Sequence, residues 1–344
     1  MLRKKWTPYA ALYELTLQCN MRCIHCGSAA GDARRKELPT EDWENITKQL
    51  ADLNCKEITL LGGEPFLRPD WYTIAKTIKN YGIKVTIISN GLCVNNVTIS
   101  KLLTLEPYSV AISIDGGTQE THDSIRQRPG SFDICMKTLL KLTDVNIPTT
   151  VITTLNKKNL KELPLLRTLL LNKGIAWQLQ IAAPIGRFPR EFVLSTEEFY
   201  AAALFIATTR KKYTMKEIPI MGAHCFGYNS QALPNINLLP LWRGCQAGTT
   251  LLGIQSDGGV KGCLSLPNEL IEGNIKNNTL YELWNKPTAF LYNRKFSTED
   301  LTNDCQSCRF GKTCKGGCLS LSLAMTGKTH GDPYCLKTIE KNYL

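Results

Sequence analysis

Cys19, Cys23 and Cys26 stand in one short stretch, Cys19-Asn20-Met21-Arg22-Cys23-Ile24-His25-Cys26, with the spacing C-x3-C-x2-C. Three thiolates on one loop can hold three corners of a [4Fe–4S] cube, because soft sulfur ligands select iron–sulfur clusters. The fourth iron then has no protein ligand. A structural cluster normally closes with four cysteines, so an open iron is a place where a small molecule can bind and take an electron. A second cysteine field lies towards the other end: Cys245, Cys263, Cys305, Cys308, Cys314, Cys318 and Cys335. The chain shows no export signal, so these tight groupings point to metal ligation rather than to disulfides.

The elements that must position these groups follow from hydrophobic periodicity. Strands are predicted at 11–17, 57–61, 84–89, 109–114, 149–154 and 177–183. Helices are predicted at 40–53, with Thr40 as N-cap, and at 69–81, 96–104, 131–143, 158–172 (interrupted early by Pro164) and 195–212. Strand and helix alternate six times with short apolar strands, as expected for a parallel sheet covered on both faces. The predicted fold is α/β: a partial (β/α)6 barrel of the TIM type, followed by an irregular cysteine-rich iron–sulfur domain. In such barrels chemistry sits at the C-terminal ends of the strands. The cysteine loop, Gly62-Gly63-Glu64-Pro65, Ser89-Asn90 and Ser113 with Asp115 all fall there. Past residue 213 helical periodicity fades and Gly, Asn and Pro rise. The expected division is 1–213 for the barrel, 214–235 for a bridging region and 236–344 for the cysteine-rich domain.

The chain has 344 residues, enough to bury a large core, and its 43% hydrophobic content is ordinary for a globular protein. No apolar run reaches the length of a membrane span. The basic N-terminus lacks a clean apolar stretch, which argues against a secretory signal and for a cytoplasmic location. The net charge of +11 suits an acidic partner. Without an arginine-rich tract or a basic stripe interleaved with aromatics, nucleic acid is a weak candidate.

The C-x3-C-x2-C loop followed by Gly62-Gly63-Glu64-Pro65 resembles the radical S-adenosylmethionine (SAM) superfamily. The resemblance implies that the amino and carboxylate groups of SAM chelate the open iron, and that one electron cleaves SAM to a 5′-deoxyadenosyl radical. It implies SAM contacts from Gly62, Gly63, Glu64 and Pro65, and from Ser89, Asn90, Ser113 and Asp115. The plain alternative for the latter residues is turn chemistry, since Asn-Gly and Asp-Gly are ordinary turn formers. The stretch Thr121–Arg126 resembles the family's HDxxR sequence. Arg126 would pair with the SAM carboxylate, with Arg128 as its rival; a guanidinium suits a carboxylate by its fork of donors. His25 stands where the family usually has an aromatic residue, which implies packing against adenine.

The distal cysteines, with Gly258, Gly316-Gly317 and the GDPYC sequence ending at Cys335, resemble the SPASM domain of radical SAM enzymes that modify peptides and proteins. The resemblance implies one auxiliary [4Fe–4S] cluster on Cys305, Cys308, Cys314 and Cys335, and another on Cys245, Cys263 and Cys318. Some relatives carry a further cysteine soon after the first; the stretch 246–253 has none. Structural zinc is the bland rival, but seven cysteines are awkward for it. Cys55 and Cys135 read as core residues, and packing is favoured for Cys93. Cys225, outside regular structure, has three readings: the missing fourth ligand, a thiol that returns a hydrogen atom to a substrate radical, or one more buried thiol.

The expected activity is hydrogen-atom abstraction from a ribosomally made peptide, giving a crosslink, a thioether or an epimerised residue. The partners implied are a peptide substrate and a flavodoxin- or ferredoxin-type electron donor; the stretch before Cys19 is too short for a leader-binding domain, so leader recognition calls for a separate leader-binding protein, for the SPASM surface, or for no leader at all. Within the family, the rivals are oxidation of a tetrapyrrole side chain in haem biosynthesis and sulfatase-type protein maturation. Outside it, the rival is an iron–sulfur electron carrier with no catalysis.

Overall fold

The computed structural model describes residues 6–226, 229–234, 236–237 and 242–343. Parts of the expected divisions, namely residues 1–5, 227–228, 235, 238–241 and 344, lie outside the described residues.

In chain order the strands and α-helices are β1 (Ala10–Thr16), α1 (Thr40–Asp52), β2 (Glu57–Gly62), α2 (Trp71–Asn80), β3 (Lys84–Ser89), α3 (Asn96–Leu105), β4 (Ser109–Ser113), α4 (Gln119–Arg126) and α5 (Ser131–Asp144). They continue with β5 (Thr149–Leu155), α6 (Leu163–Leu170), β6 (Ala176–Ile181), α7 (Thr196–Lys212), β7 (Ile220–Gly222), β8 (Leu251–Ile254), β9 (Gly259–Lys261) and β10 (Gly273–Asn274). Five short helices close the chain: α8 (Leu280–Asn285), α9 (Leu291–Arg294), α10 (Gly311–Cys314), α11 (Leu319–Thr326) and α12 (Leu336–Tyr343). The chain divides into two compact units.

The first unit comprises Met1–Asn20, Ala30–Ala111 and Gln246–Lys295. Its strands run in the order β10-β9-β8-β1-β2-β3, with β8, β1, β2 and β3 parallel and β9 and β10 antiparallel additions. Trp43, Ile46 and Leu50 give α1 one apolar face, and all three are fully buried. Burial of each such side chain stabilises the fold by about 1.5–3 kcal/mol. Trp43 packs on Tyr13 of β1, ring centroids 4.6 Å apart. Thr40 is the first helical residue rather than the cap: the cap position is Pro39, and the Thr40 hydroxyl is committed to Asp70. Segment 246–295 contributes β8, which pairs in register with β1 from Ala10↔Leu251 to Tyr13↔Ile254.

The second unit comprises Met21–Ala29, Ile112–Cys245 and Phe296–Leu344. Its strands β5, β6 and β7 are parallel. Pro164 lies at the start of α6, where a missing N–H costs nothing, so it opens the helix rather than interrupting it. Helix α4 was not predicted; its sequence QETHDSIR is almost wholly polar, and the Thr118 side chain caps it on Thr121 N. The C-terminal segment docks within this unit. Tyr334 stacks on Phe199 of α7 at 4.7 Å and donates its hydroxyl to Leu194 O at 2.6 Å.

Candidate active site and auxiliary thiol clusters

In the first unit, the end of β2 is fastened to the ends of β1 and β3. A Cβ on Gly62 would meet Thr16 O at 2.3 Å, and one on Gly63 would meet Gln18 O at 2.1 Å. The two glycines are therefore required by the passing backbone of residues 16–18. Gly63 N donates to Thr16 O (2.7 Å) and Glu64 N to Gln18 O (2.8 Å). The Glu64 carboxylate is fully buried and accepts Ser89 Oγ (2.9 Å), Asn90 N (2.7 Å) and Phe66 N (3.2 Å). Pro65, also buried, begins a single 3-10 turn behind it. Asn90 Nδ2 reaches Asn20 Oδ1 (2.7 Å) and Cys19 Sγ (3.8 Å), and Asn20 Nδ2 donates to Cys93 Sγ at 3.3 Å. Cys93 is thus a neighbour of Cys19, and burial pushes its thiol up to about 11. Gly62, Gly63, Glu64, Ser89, Asn90 and Cys19 come together in this unit.

In the second unit, the centre is Asp115, fully buried. Its Oδ2 accepts His25 Nε2 at 2.7 Å and Arg126 NH2 at 2.6 Å, and its Oδ1 accepts Thr154 N at 2.7 Å. Burial acts to raise the Asp115 carboxyl, but Arg126 and then His25 outweigh it and hold the group well below the usual carboxylate range. Arg126 NH1 lies 3.7 Å from Cys23 Sγ. Burial pushes the Cys23 thiol up, and the Arg126 charge opposes it. The cysteine loop is tied down by its backbone: Ile24 N donates to Ile125 O (2.9 Å), Arg187 N to Cys26 O (3.1 Å) and Arg187 Nε to Cys23 O (3.1 Å). Gly186, at φ +61, passes so close that a Cβ would meet Cys26 O at 2.3 Å. Ser113, Asp115, Arg126, Cys23 and Cys26 all belong to this unit. Arg128 does not share the Asp115 pair; its backbone N–H donates to Asp123 O.

The auxiliary cysteines of the same unit form two neighbourhoods. Burial, then the nearby Cys335 and Cys308, push the Cys305 thiol up to about 12. Burial, then Cys335, push Cys314 to about 12. Cys318 is raised well above its ordinary value by burial, then by Cys245, Asp332 and Cys225. Cys225 Sγ accepts Ile181 N at 3.5 Å, which places it at the C-terminal end of β6. The organiser that sequence reading missed is Asp332 of GDPYC. It is buried and accepts Cys318 N and Tyr334 N, each at 3.0 Å, locking the two cysteine segments together. Cys263 belongs to the first unit, where burial also pushes its thiol up. Cys55 and Cys135 are buried core residues; Cys135 lies on α5, whereas Cys55 lies outside the helices, between α1 and β2.

This donor set fits iron–sulfur clusters. No cysteine is in a disulfide. Thiols crowded in apolar surroundings repel one another as thiolates, and a positively charged metal core relieves that repulsion. Among the described residues no three His, Cys, Asp or Glu side chains are grouped to hold a metal ion. A cubane distributes its four thiolates over separate irons, so it needs no such convergence. No helix among the described residues is long and apolar enough to cross a membrane.

Comparison with known proteins agrees with this geometry. Residues 13–170 match the model of the Radical SAM superfamily, and residues 245–309 match SPASM, an iron–sulfur cluster-binding domain. The AdoMet-dependent heme synthase of Methanosarcina barkeri is 27% identical over 341 residues, covering 96% of this chain and 96% of that protein. The mycofactocin maturase MftC of Mycobacterium tuberculosis is 24% identical, covering 96% of this chain and 83% of that protein. The crystal structure of Streptococcus suis SuiB bound to S-adenosylmethionine superposes with a TM-score of 0.76 at 18% identity, covering 96% of this chain and 76% of that one; this is a likeness of fold. The chain is therefore a radical SAM enzyme, with a partial-barrel core of mixed sheet and flanking helices. More particularly, it is one with a C-terminal SPASM domain, and it acts by radical chemistry on SAM. A carrier with no catalysis is set aside.

Proposed function

We propose that this enzyme removes a hydrogen atom from a C–H bond of a ribosomally made peptide, leaving a crosslink, a thioether or an epimerised residue. The supporting observation is the likeness of fold to SuiB, one of whose structures is bound to the precursor peptide SuiA. Cys19, Cys23 and Cys26 carry the SAM-binding cluster, which when bound and reduced supplies the electron that cleaves SAM. Glu64, Ser89 and Asn90 fasten the ends of β2 and β3, and Asp115 and Arg126 fix the cysteine loop. Cys305, Cys308, Cys314 and Cys335 hold one auxiliary cluster. Cys245, Cys263 and Cys318 hold the other, and Cys225 completes it, being a neighbour of Cys318. The net charge of +11 favours an acidic peptide. A flavodoxin- or ferredoxin-type protein delivers electrons. The test is anaerobic incubation of reconstituted enzyme, SAM and dithionite with the peptide encoded beside its gene. Loss of hydrogen from the peptide mass, or deuterium uptake from heavy water, supports the reading; an unaltered peptide alongside active SAM cleavage contradicts it.

A second reading, oxidation of a tetrapyrrole side chain, is favoured by one specific observation. The heme synthase relative matches across 96% of both chains. A porphyrin bearing carboxylates also suits a basic protein. A mass change in such a porphyrin under the same conditions, with no change in the peptide, selects this reading.

A further inference from the structure

The Asp115–Arg126 pair is where the structure goes beyond what the motifs imply. Arg126 lies in the last turn of α4, where a cation is favoured by the helix dipole. One end of its guanidinium, NH2, is clamped on Asp115 at 2.6 Å. The other, NH1, lies 3.7 Å from Cys23 Sγ, within range of an N–H···S bond. Arg126 is only 7% exposed and Asp115 is fully buried, so water does little to screen either charge from the thiolate. Thr154 N and His25 Nε2 fix the carboxylate in turn, and the carboxylate fixes the direction of the guanidinium.

We infer that Arg126, aimed by Asp115, donates to the Cys23 thiolate and sets the reduction potential of the SAM-binding cluster. It is a positioning residue acting through Cys23. Potentials of iron–sulfur clusters depend on local charge and on hydrogen bonds to the sulfurs. Reduction adds one electron from the external donor to the cluster, with no proton and no bond change, so the cluster becomes more negative by one charge. A cation and an N–H donor beside a ligand sulfur favour that reduced state; the Asp115 anion opposes it. The two residues therefore push the potential in opposite directions, which a merely structural role does not do.

The inference rests on Cys23 being a cluster ligand, as proposed above, and is independent of the substrate. The test is a redox titration followed by electron paramagnetic resonance on anaerobically reconstituted full-length enzyme. The SAM-binding cluster is identified as the signal that changes when SAM is added. Arg126→Gln is expected to lower its midpoint so that the ratio of reduced to oxidised cluster at fixed potential falls about tenfold, roughly 59 mV for one electron. Arg126→Lys is expected to recover most of that shift, and Asp115→Asn to move the midpoint upwards. If Arg126→Gln does not load iron, the upward displacement of Asp115→Asn, with Arg126→Lys close to wild type, carries the test. Midpoints unchanged in the iron-loaded variants, with only SAM affinity weakened, overturn the inference. A SAM-sensitive signal that survives in Cys23→Ser instead overturns the ligand assignment beneath it.

Discussion

The buried carboxylate of Glu64 accepts the backbone N–H of Asn90 at 2.7 Å, joining the end of β2 to the residue just past β3. Glu64 thus works first as a fastening between strand ends. Replacing it with alanine removes the acceptor from both Asn90 N and Ser89 Oγ. The expected loss is about 2–6 kcal/mol, from ~1–3 for each of the two buried donors deprived of its acceptor. Chemical denaturation of the iron-free protein checks it. Glu64→Gln, which keeps one carbonyl oxygen, should lose about half as much. No loss of stability in Glu64→Ala would show that the fastening carries no energy.

Gly186 should be as intolerant as the cysteines beside it. At φ +61, with Cys26 O only 2.3 Å from a Cβ, an alanine must displace the loop. The strain is on the order of 1–3 kcal/mol. In Gly186→Ala the SAM-sensitive signal should fall while the auxiliary clusters remain, as read by iron content and paramagnetic resonance. A full SAM-sensitive signal would argue that the loop has room to move.

Asp332 bonds to Cys318 N and Tyr334 N, so Asp332→Ala should loosen both auxiliary sites at once. Two hydrogen bonds to a charged acceptor are worth roughly 1.5–3 kcal/mol each. The expected result is reduced iron per chain with the SAM-binding cluster still present. Cys225→Ala should also reduce iron, whereas Cys135→Ala should not. Full iron loading in Cys225→Ala removes its role as a ligand.

His122 makes stability depend on pH. It is buried, accepts Asp115 N at Nδ1, and has its pKa lowered to about 4, first by burial and then by Arg126. Its unfolded value is near 6.5, so the unfolded chain binds the proton more readily than the fold does. The stability is present in full above pH 6.5 and is lost as pH falls through that value towards about 4. The amount is about 3 kcal/mol at ~1.4 kcal/mol per pKa unit. Denaturation of wild type and His122→Gln between those pH values checks it: the variant should lose less on acidification.

Much of the first six strands was legible because short apolar runs end at Gly, Asn or Asp. The cysteine spacings were legible because ligand types are written directly in the residues. Helix α4 was not, since QETHDSIR buries only His122, Ile125 and Arg126 and so shows no apolar stripe. Strands β8, β9 and β10 were missed because they are two to four residues long and rich in glycine. The roles of Asp332 and Gly186 depend on partners distant in sequence. The resemblance implies SAM contacts from the glycines of Gly62-Gly63-Glu64-Pro65. The structure shows them first making room for the backbone of residues 16–18.

The central claim is that Cys19, Cys23 and Cys26 hold the cluster that cleaves SAM. Reconstituted enzyme incubated anaerobically with SAM and dithionite is expected to release 5′-deoxyadenosine, and Cys23→Ser is expected to release none. Absence of 5′-deoxyadenosine from fully iron-loaded wild type, or equal release from Cys23→Ser, would contradict it.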